Sequence, residues 1–240
     1  MKRKTKAQVP KLKLELHKDL HPYVDLTTGI LDHPLISIRN LSNEPNVQEI
    51  NRLYTELAAR RNHCLAEVRV RPLNYIALHQ KHYRLFAFYQ IRHLISDAQY
   101  WRMLEYVWTI SEYLFQNKND WLLLLSATRR YRGLMMQRAD RKFFAGLPDE
   151  LTIFRGYREG QDRHGLSWTL SQAQATRFAN RNATGETGKP IVLVGRCAKV
   201  DVFCYTNGRE EDEIIIDPAK ITDIREVGGI NQAPLADSGH

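Results

Sequence analysis

"LTIFRGYREGQDRHGLSWTLSQAQATRFA", residues 151–179, is where the chain changes texture. Its first seven residues form a short β-branched run and read as a strand. "GLSWTL" (165–170) reads as a second strand. A short helix follows, with Ser171 as N-cap and Ala175, Phe178 and Ala179 on one face. Downstream come four more short β-branched runs separated by turn residues: "PIVLVGRCA" (190–198), "VDVFCY" (200–205), "DEIIID" (212–217) and "ITDIREV" (221–227).

Upstream the period is helical. Asn46 with Glu49 is a capping-box pattern, and Ile50, Leu53, Tyr54, Leu57 and Ala58 follow at helical spacing. A second run after Pro72 carries Ile76, Tyr83, Phe86 and Ile91. Ser96 with Gln99 caps a third, faced by Trp101, Leu104, Trp108 and Phe115. A further helix is expected over roughly 120–144, stopped by Gly146 and Pro148. "KLKLELH" (11–17) alternates with period two and reads as a strand or a docking arm, and "DLTTGILDHPLISIRNLSNEPN" (25–46) reads as loop. Helices followed by a mostly antiparallel sheet give an α+β fold. The expected divisions are a basic arm over 1–45, disordered at its start, a helical part over 46–147 and a β core over 150–228.

Length and composition bound the rest. The 240 residues, 43% of them hydrophobic, suffice for a core without covalent staples. Three cysteines, none in a Cys-x-x-Cys spacing, fit a reducing compartment. The net charge is +8, but the first eighteen residues hold seven Lys/Arg against one Glu. A basic arm of this kind attracts nucleic acid, acidic protein or anionic lipid, or merely keeps a terminus soluble. No apolar h-region follows the charges, and no apolar run approaches a membrane span. The expectation is a cytoplasmic protein with no membrane partner.

Three strand motifs carry the chemistry. In "TIFRGY", Arg155 is either a surface salt-bridge partner or a grip on phosphate, with Gly156 allowing a ligand near the backbone. In "GLSWTLS", Ser167 and Thr169 share a face opposite Trp168. Their hydroxyls face solvent, hold a ribose or orient a carboxylate. In "REEDEIII" (209–216), Glu211 and Glu213 are two apart, and like charges placed together are costly unless the run is a solvated turn.

Taken in order, Arg155, Ser167-x-Thr169 and Glu211-x-Glu213 resemble the Arg–Ser–Glu class of mono-ADP-ribosyltransferases. That class includes bacterial toxins, phage transferases and toxin–antitoxin effectors. The resemblance covers roughly 150–220. It departs from the class at Trp168 and Thr169, where Ser-Thr-Ser is usual. It implies a split antiparallel β core and NAD as co-substrate, with no metal. By the same resemblance Glu213 holds the ribose 2′-hydroxyl and stabilises an oxocarbenium-like transition state. Ser167 positions Glu213, and Arg155 binds the NAD phosphates beside Gly156. Glu211 orients or deprotonates the acceptor. Thr169 joins the cofactor site, and Trp168, Phe178 or Tyr205 either packs near the nicotinamide or belongs to the core.

The class leaves the acceptor open between nucleic acid and protein arginine. "TRRYRGLMMQRADRK" (128–142) brings Arg129, Arg130, Arg132 and Arg138 with Tyr131 interleaved, which tilts the expectation towards RNA, with Tyr205 assigned to the same surface. A toxin-type effector with an antitoxin or chaperone partner is expected. The alternative of another class is a non-catalytic nucleic-acid-binding protein on this scaffold. The pairs His79/His82 and His17/His21 lack a third ligand nearby in sequence. The glycine-rich "RNATGETGKP" (181–190) lacks the full phosphate-loop spacing and reads as a flexible loop.

Overall fold

The computed structural model describes residues 9–41, 46–111, 117–181 and 188–227. The start of the basic arm, Phe115 and the glycine-rich loop over 182–187 lie outside them. The chain forms two compact units, Met1–Glu112 and Tyr113–His240. This division differs from the boundary expected at residue 45, and the reason is in the core of the first unit. Leu16, Leu20, Val24, Leu31, Leu35, Ile36 and Leu41 are buried together with Ile50 and Tyr54. Residues 16–41 of the segment read as an arm therefore contribute to a core. Each such fully buried aliphatic side chain contributes about 1.5–3 kcal/mol.

In the first unit, α1 (Val9–Glu15) is a helix, not the strand that "KLKLELH" suggested. Leu14 is 77% exposed while Leu16 is buried, so the alternation does not mark a strand with one buried face. The stretch read as loop contains β1 (Val24–Asp25), β2 (Ile30–His33) and β3 (Ile36–Ile38), a small antiparallel meander. The long helix α2 (Val47–Ala66) starts where Asn46 Oδ1 accepts from Glu49 N at 3.1 Å. After Pro72 come α3 (Pro72–Leu78), a 3-10 turn and α4 (Arg84–Ile91). The Ser96/Gln99 capping box opens α5 (Asp97–Ile110), whose buried face holds Tyr100, Trp101, Leu104, Val107 and Trp108.

The second unit begins with α6 (Lys118–Leu125). The helix expected over 120–144 is broken here. Tyr131 adopts a left-handed backbone (φ 65°), a 3-10 turn spans Arg132–Met135, and α7 covers Arg138–Ala145. The break has a physical cause. Arg132 donates to the carbonyls of Leu125 (3.2 Å) and Ala127 (3.4 Å), satisfying the open end of α6. Arg141 donates to the carbonyls of Gly133 and Met136.

The six strands fall where the sequence placed them: β4 (Glu150–Arg158), β5 (Ser167–Thr169), β6 (Pro190–Ala198), β7 (Val202–Thr206), β8 (Glu213–Ile216) and β9 (Thr222–Glu226). They form one antiparallel sheet in the order β7-β8-β5-β4-β6-β9. Thus β5 joins β4 to β8 and brings the three motifs side by side. One core, built on Leu151, Ile153, Tyr157, Trp168, Tyr205, Ile214 and Ile216, includes Phe144 and Leu147 at its edge. The helix α8 (Gln172–Asn180) lies against β4. It sits so close that a Cβ on Gly156 would stand 1.7 Å from the Ala175 carbonyl oxygen.

Two predictions follow from this packing. Gly156→Ala forces α8 off the sheet and lowers stability in urea denaturation by about 1–3 kcal/mol. The second concerns His33, which is buried in the first unit, accepts from Leu35 N at 3.1 Å and meets Tyr23 and Tyr54 edge-on. Burial, with a smaller push from Arg61, lowers its pKa from 6.5 to about 4. Between those values the unfolded chain takes a proton that the folded chain refuses. Stability is therefore full above the unfolded value and falls as pH drops towards 4, by up to about 3 kcal/mol. His33→Gln flattens the fall, as read from denaturation midpoints across that range.

Candidate active site

Glu213 opens β8, and all four residues of that strand are buried. At 4% exposure its carboxylate is among the few charged groups taken inside. A buried carboxylate needs donors, since losing water costs several kcal/mol. Ser167 supplies one: its Oγ donates to Glu213 Oε1 at 2.5 Å. The pairing of Ser167 with Ile215 and of Thr169 with Glu213 sets the two strands in this register. The acidic turn does not dissolve into solvent. Its last carboxylate is pulled into the sheet and the three isoleucines behind it anchor the strand.

Glu211 sits just before β8, its side chain 15% exposed. The backbone turns sharply on either side of it, with Glu210 at φ 57° and Asp212 at φ 46°, both left-handed. Such positions cost a non-glycine residue of order 1–3 kcal/mol unless the surroundings hold them. Here Asn207 Oδ1 accepts from Asp212 N, and the Tyr205 hydroxyl donates to Asp212 Oδ1 at 2.8 Å. Thr169 completes the clamp by donating from Oγ1 to the Glu211 carbonyl at 2.7 Å. The same Oγ1 accepts from Ser171 N at the start of α8. The Thr169 hydroxyl, expected at the cofactor, is 2% exposed and is spent on positioning the acidic turn.

Arg155 is the third element. Its Nη1 donates to the Ser167 carbonyl at 2.6 Å and its Nη2 to the Asp162 carbonyl at 3.0 Å. Its Nε is buried with no hydrogen-bond partner. The guanidinium therefore leans on carbonyl dipoles, and burial pulls its pKa below the ordinary arginine value, opposed by the negative charges of Asp162 and Glu213. The loop above it is folded back by His164 N donating to Asp162 Oδ1 at 2.9 Å and by Lys118 donating to the His164 carbonyl at 2.5 Å. Gly165 makes room: a Cβ there would lie 2.2 Å from Arg155 Nη2.

These groups border one cavity of about 230 Å³, lined by Phe154, Arg155, Gly156, Ser167, Trp168, Thr169, Phe178, Arg181, Arg209, Glu211 and Glu213. Of the residues assigned from sequence to catalysis or cofactor binding, all but Tyr205 are on its wall. Three assignments change in kind. Gly156 is glycine because α8 occupies the space of its side chain. Trp168 touches the cavity, but its ring is in the core and its Nε1 donates to the Gly165 carbonyl. Tyr205, assigned to an acceptor surface, is 2% exposed, belongs to the core and stacks beneath the half-exposed Phe143. Among the remaining acceptor residues, Arg129 and Arg130 lie in the turn after α6, Arg132 holds that turn, and Arg138 starts α7.

The sequence reading missed Phe154, Arg181 and Arg209. Arg181 is the C-cap of α8, in extended backbone just past the last turn that holds Phe178. Arg209 precedes Glu211 by two, and its Nη2 lies 3.0 Å from Glu211 Oε2 and 3.9 Å from Glu213 Oε2. The cavity wall thus carries three arginines and two carboxylates. Among the described residues no group of three or more His, Cys, Asp or Glu side chains is arranged to hold a metal ion, and no helix is long and apolar enough to cross a membrane.

The balance of charges makes a stability prediction. Ser167→Ala removes the donor from a buried carboxylate and costs about 1–3 kcal/mol. Glu213→Gln removes the buried charge itself and does not lower the thermal midpoint. A carboxylate kept for stability would behave in the opposite way.

No protein-family model, no curated protein and no solved structure matches this chain.

Proposed function

We propose that this protein is an NAD-dependent mono-ADP-ribosyltransferase. The observation that carries the reading is a single cavity bordered by a buried carboxylate on a serine hydroxyl, a second carboxylate on a clamped turn, and a buried arginine with an unused N–H. The cavity is below the usual range for sites that enclose a whole ligand, so it takes one end of a dinucleotide. Glu213 accepts from the ribose hydroxyl at that end and stabilises positive charge as the nicotinamide bond lengthens. Ser167 fixes the Glu213 rotamer. Arg155 and Arg181 supply the positive field for a pyrophosphate. Glu211 takes the acceptor's proton.

For the acceptor, the RNA reading loses two of its supports, because Tyr205 is in the core and Arg132 is engaged with its own carbonyls. A guanidinium already fits beside Glu211, which favours protein arginine. RNA stays as the second reading on the strength of Arg129, Arg130 and Arg138. An effector role is consistent with either acceptor.

The test is label transfer from NAD labelled in the adenylate phosphate, using a cell lysate as the source of acceptors and Glu213→Gln as the blank. Glu213-dependent label in the protein fraction is the expected result. Label in RNA replaces the first acceptor with the second. Intact NAD and no label in any fraction contradict the activity.

A further inference from the structure

Arg209 is the charged residue of the cavity that the proposed chemistry leaves without a role. An exposed arginine near two carboxylates is ordinarily a surface ion pair of little consequence. Here the surroundings differ. The turn from Asn207 to Asp212 is bent through two left-handed non-glycine residues, and it is pinned by the Asn207, Tyr205 and Thr169 hydrogen bonds. That bend carries the Arg209 guanidinium back over both carboxylates, touching Glu211 and approaching Glu213, while its side chain stays half exposed. Its Nη2 is therefore next to the carboxylate assigned to deprotonate the acceptor and near the one assigned to the ribose.

We propose that Arg209 is itself an ADP-ribose acceptor, so that the protein modifies its own cavity rim in a single intramolecular turnover. The proposal rests on the transferase reading given above and names a substrate of that same site. In the step, the bond between the NAD ribose C1′ and the nicotinamide nitrogen breaks, and its electron pair leaves with neutral nicotinamide. A new bond forms between C1′ and Nη2 of Arg209. The guanidinium surrenders one proton to Glu211, which passes it to water. The modified side chain keeps its guanidinium charge and gains a pyrophosphate with two negative charges. Arg155 and Arg181, on the same wall, hold that pyrophosphate in the cavity. Self-modification thus fills the site with its own product and limits further turnover.

The experiment incubates the full chain with NAD, follows nicotinamide release, and maps ADP-ribose by fragmentation mass spectrometry. Close to one ADP-ribose per chain is expected on Arg209, with the labelled fraction independent of protein dilution. Label is absent in Glu213→Gln and lost in Arg209→Lys. Glu213-dependent nicotinamide release with Arg209 unmodified overturns this inference and leaves the transferase reading standing. Label undiminished in Arg209→Lys, or label at Arg209 from free ADP-ribose without NAD, also overturns it. No Glu213-dependent release overturns both.

Discussion

A carboxylate buried at the head of a strand is the constraint on which the second unit is built. Glu213 cannot keep its charge at 4% exposure without partners, and the sheet order exists to provide them. Placing β5 between β4 and β8 puts the Ser167 hydroxyl on Glu213 and the Ser167 carbonyl on Arg155. One residue therefore joins the acidic and basic halves of the cavity, through its side chain on one side and its backbone on the other. The three isoleucines after Glu213 bury enough apolar surface to offset an entry that would otherwise unravel into solvent.

The rest of the cavity shows the same economy. Thr169 serves three backbone groups: it pairs with Glu213 in the ladder, holds the Glu211 carbonyl and caps the turn into α8. Asp212 lies in the left-handed turn ahead of β8, and there its carboxylate meets the Tyr205 hydroxyl. Burial and this bond to Asp212 raise the tyrosine's pKa, keeping its proton on the oxygen. A strained turn, a buried cation with an orphan N–H and a buried acid stand together at this cavity, each at a cost to stability.

The β half of this arrangement was legible in sequence because its signals are local. β-branched runs of six to nine residues, turn residues between them and Ser171 before an alanine face fix the strands and α8 without knowledge of their partners. The pairing of Arg155, Ser167 and Glu213 was legible only as an ordered set of motifs. What was not legible depends on distant contacts. The meander over 24–38 is built from strands of two to four residues, too short for periodicity, and it is held by the core it forms with α2. The helix break at 126–131 is set by Arg132 reaching back to the carbonyls of α6, a contact that reads in sequence as one more cation on a basic stretch. Arg209 reads as part of an acidic loop. Only the left-handed turns at Glu210 and Asp212 bring it over the carboxylates.

The account stands on the claim that this cavity receives the nicotinamide end of NAD with Arg155 at its phosphates. The most direct measurement is an NAD titration of Glu213→Gln, the variant in which the proposed transfer is blocked, followed by the side-chain N–H resonances of Arg155 in NMR. The account predicts a saturable shift of the Arg155 Nε–H signal as its unused donor finds an acceptor, with no such shift for nicotinamide alone. An Arg155 signal that stays in place while NAD is raised far above its cellular range would contradict it.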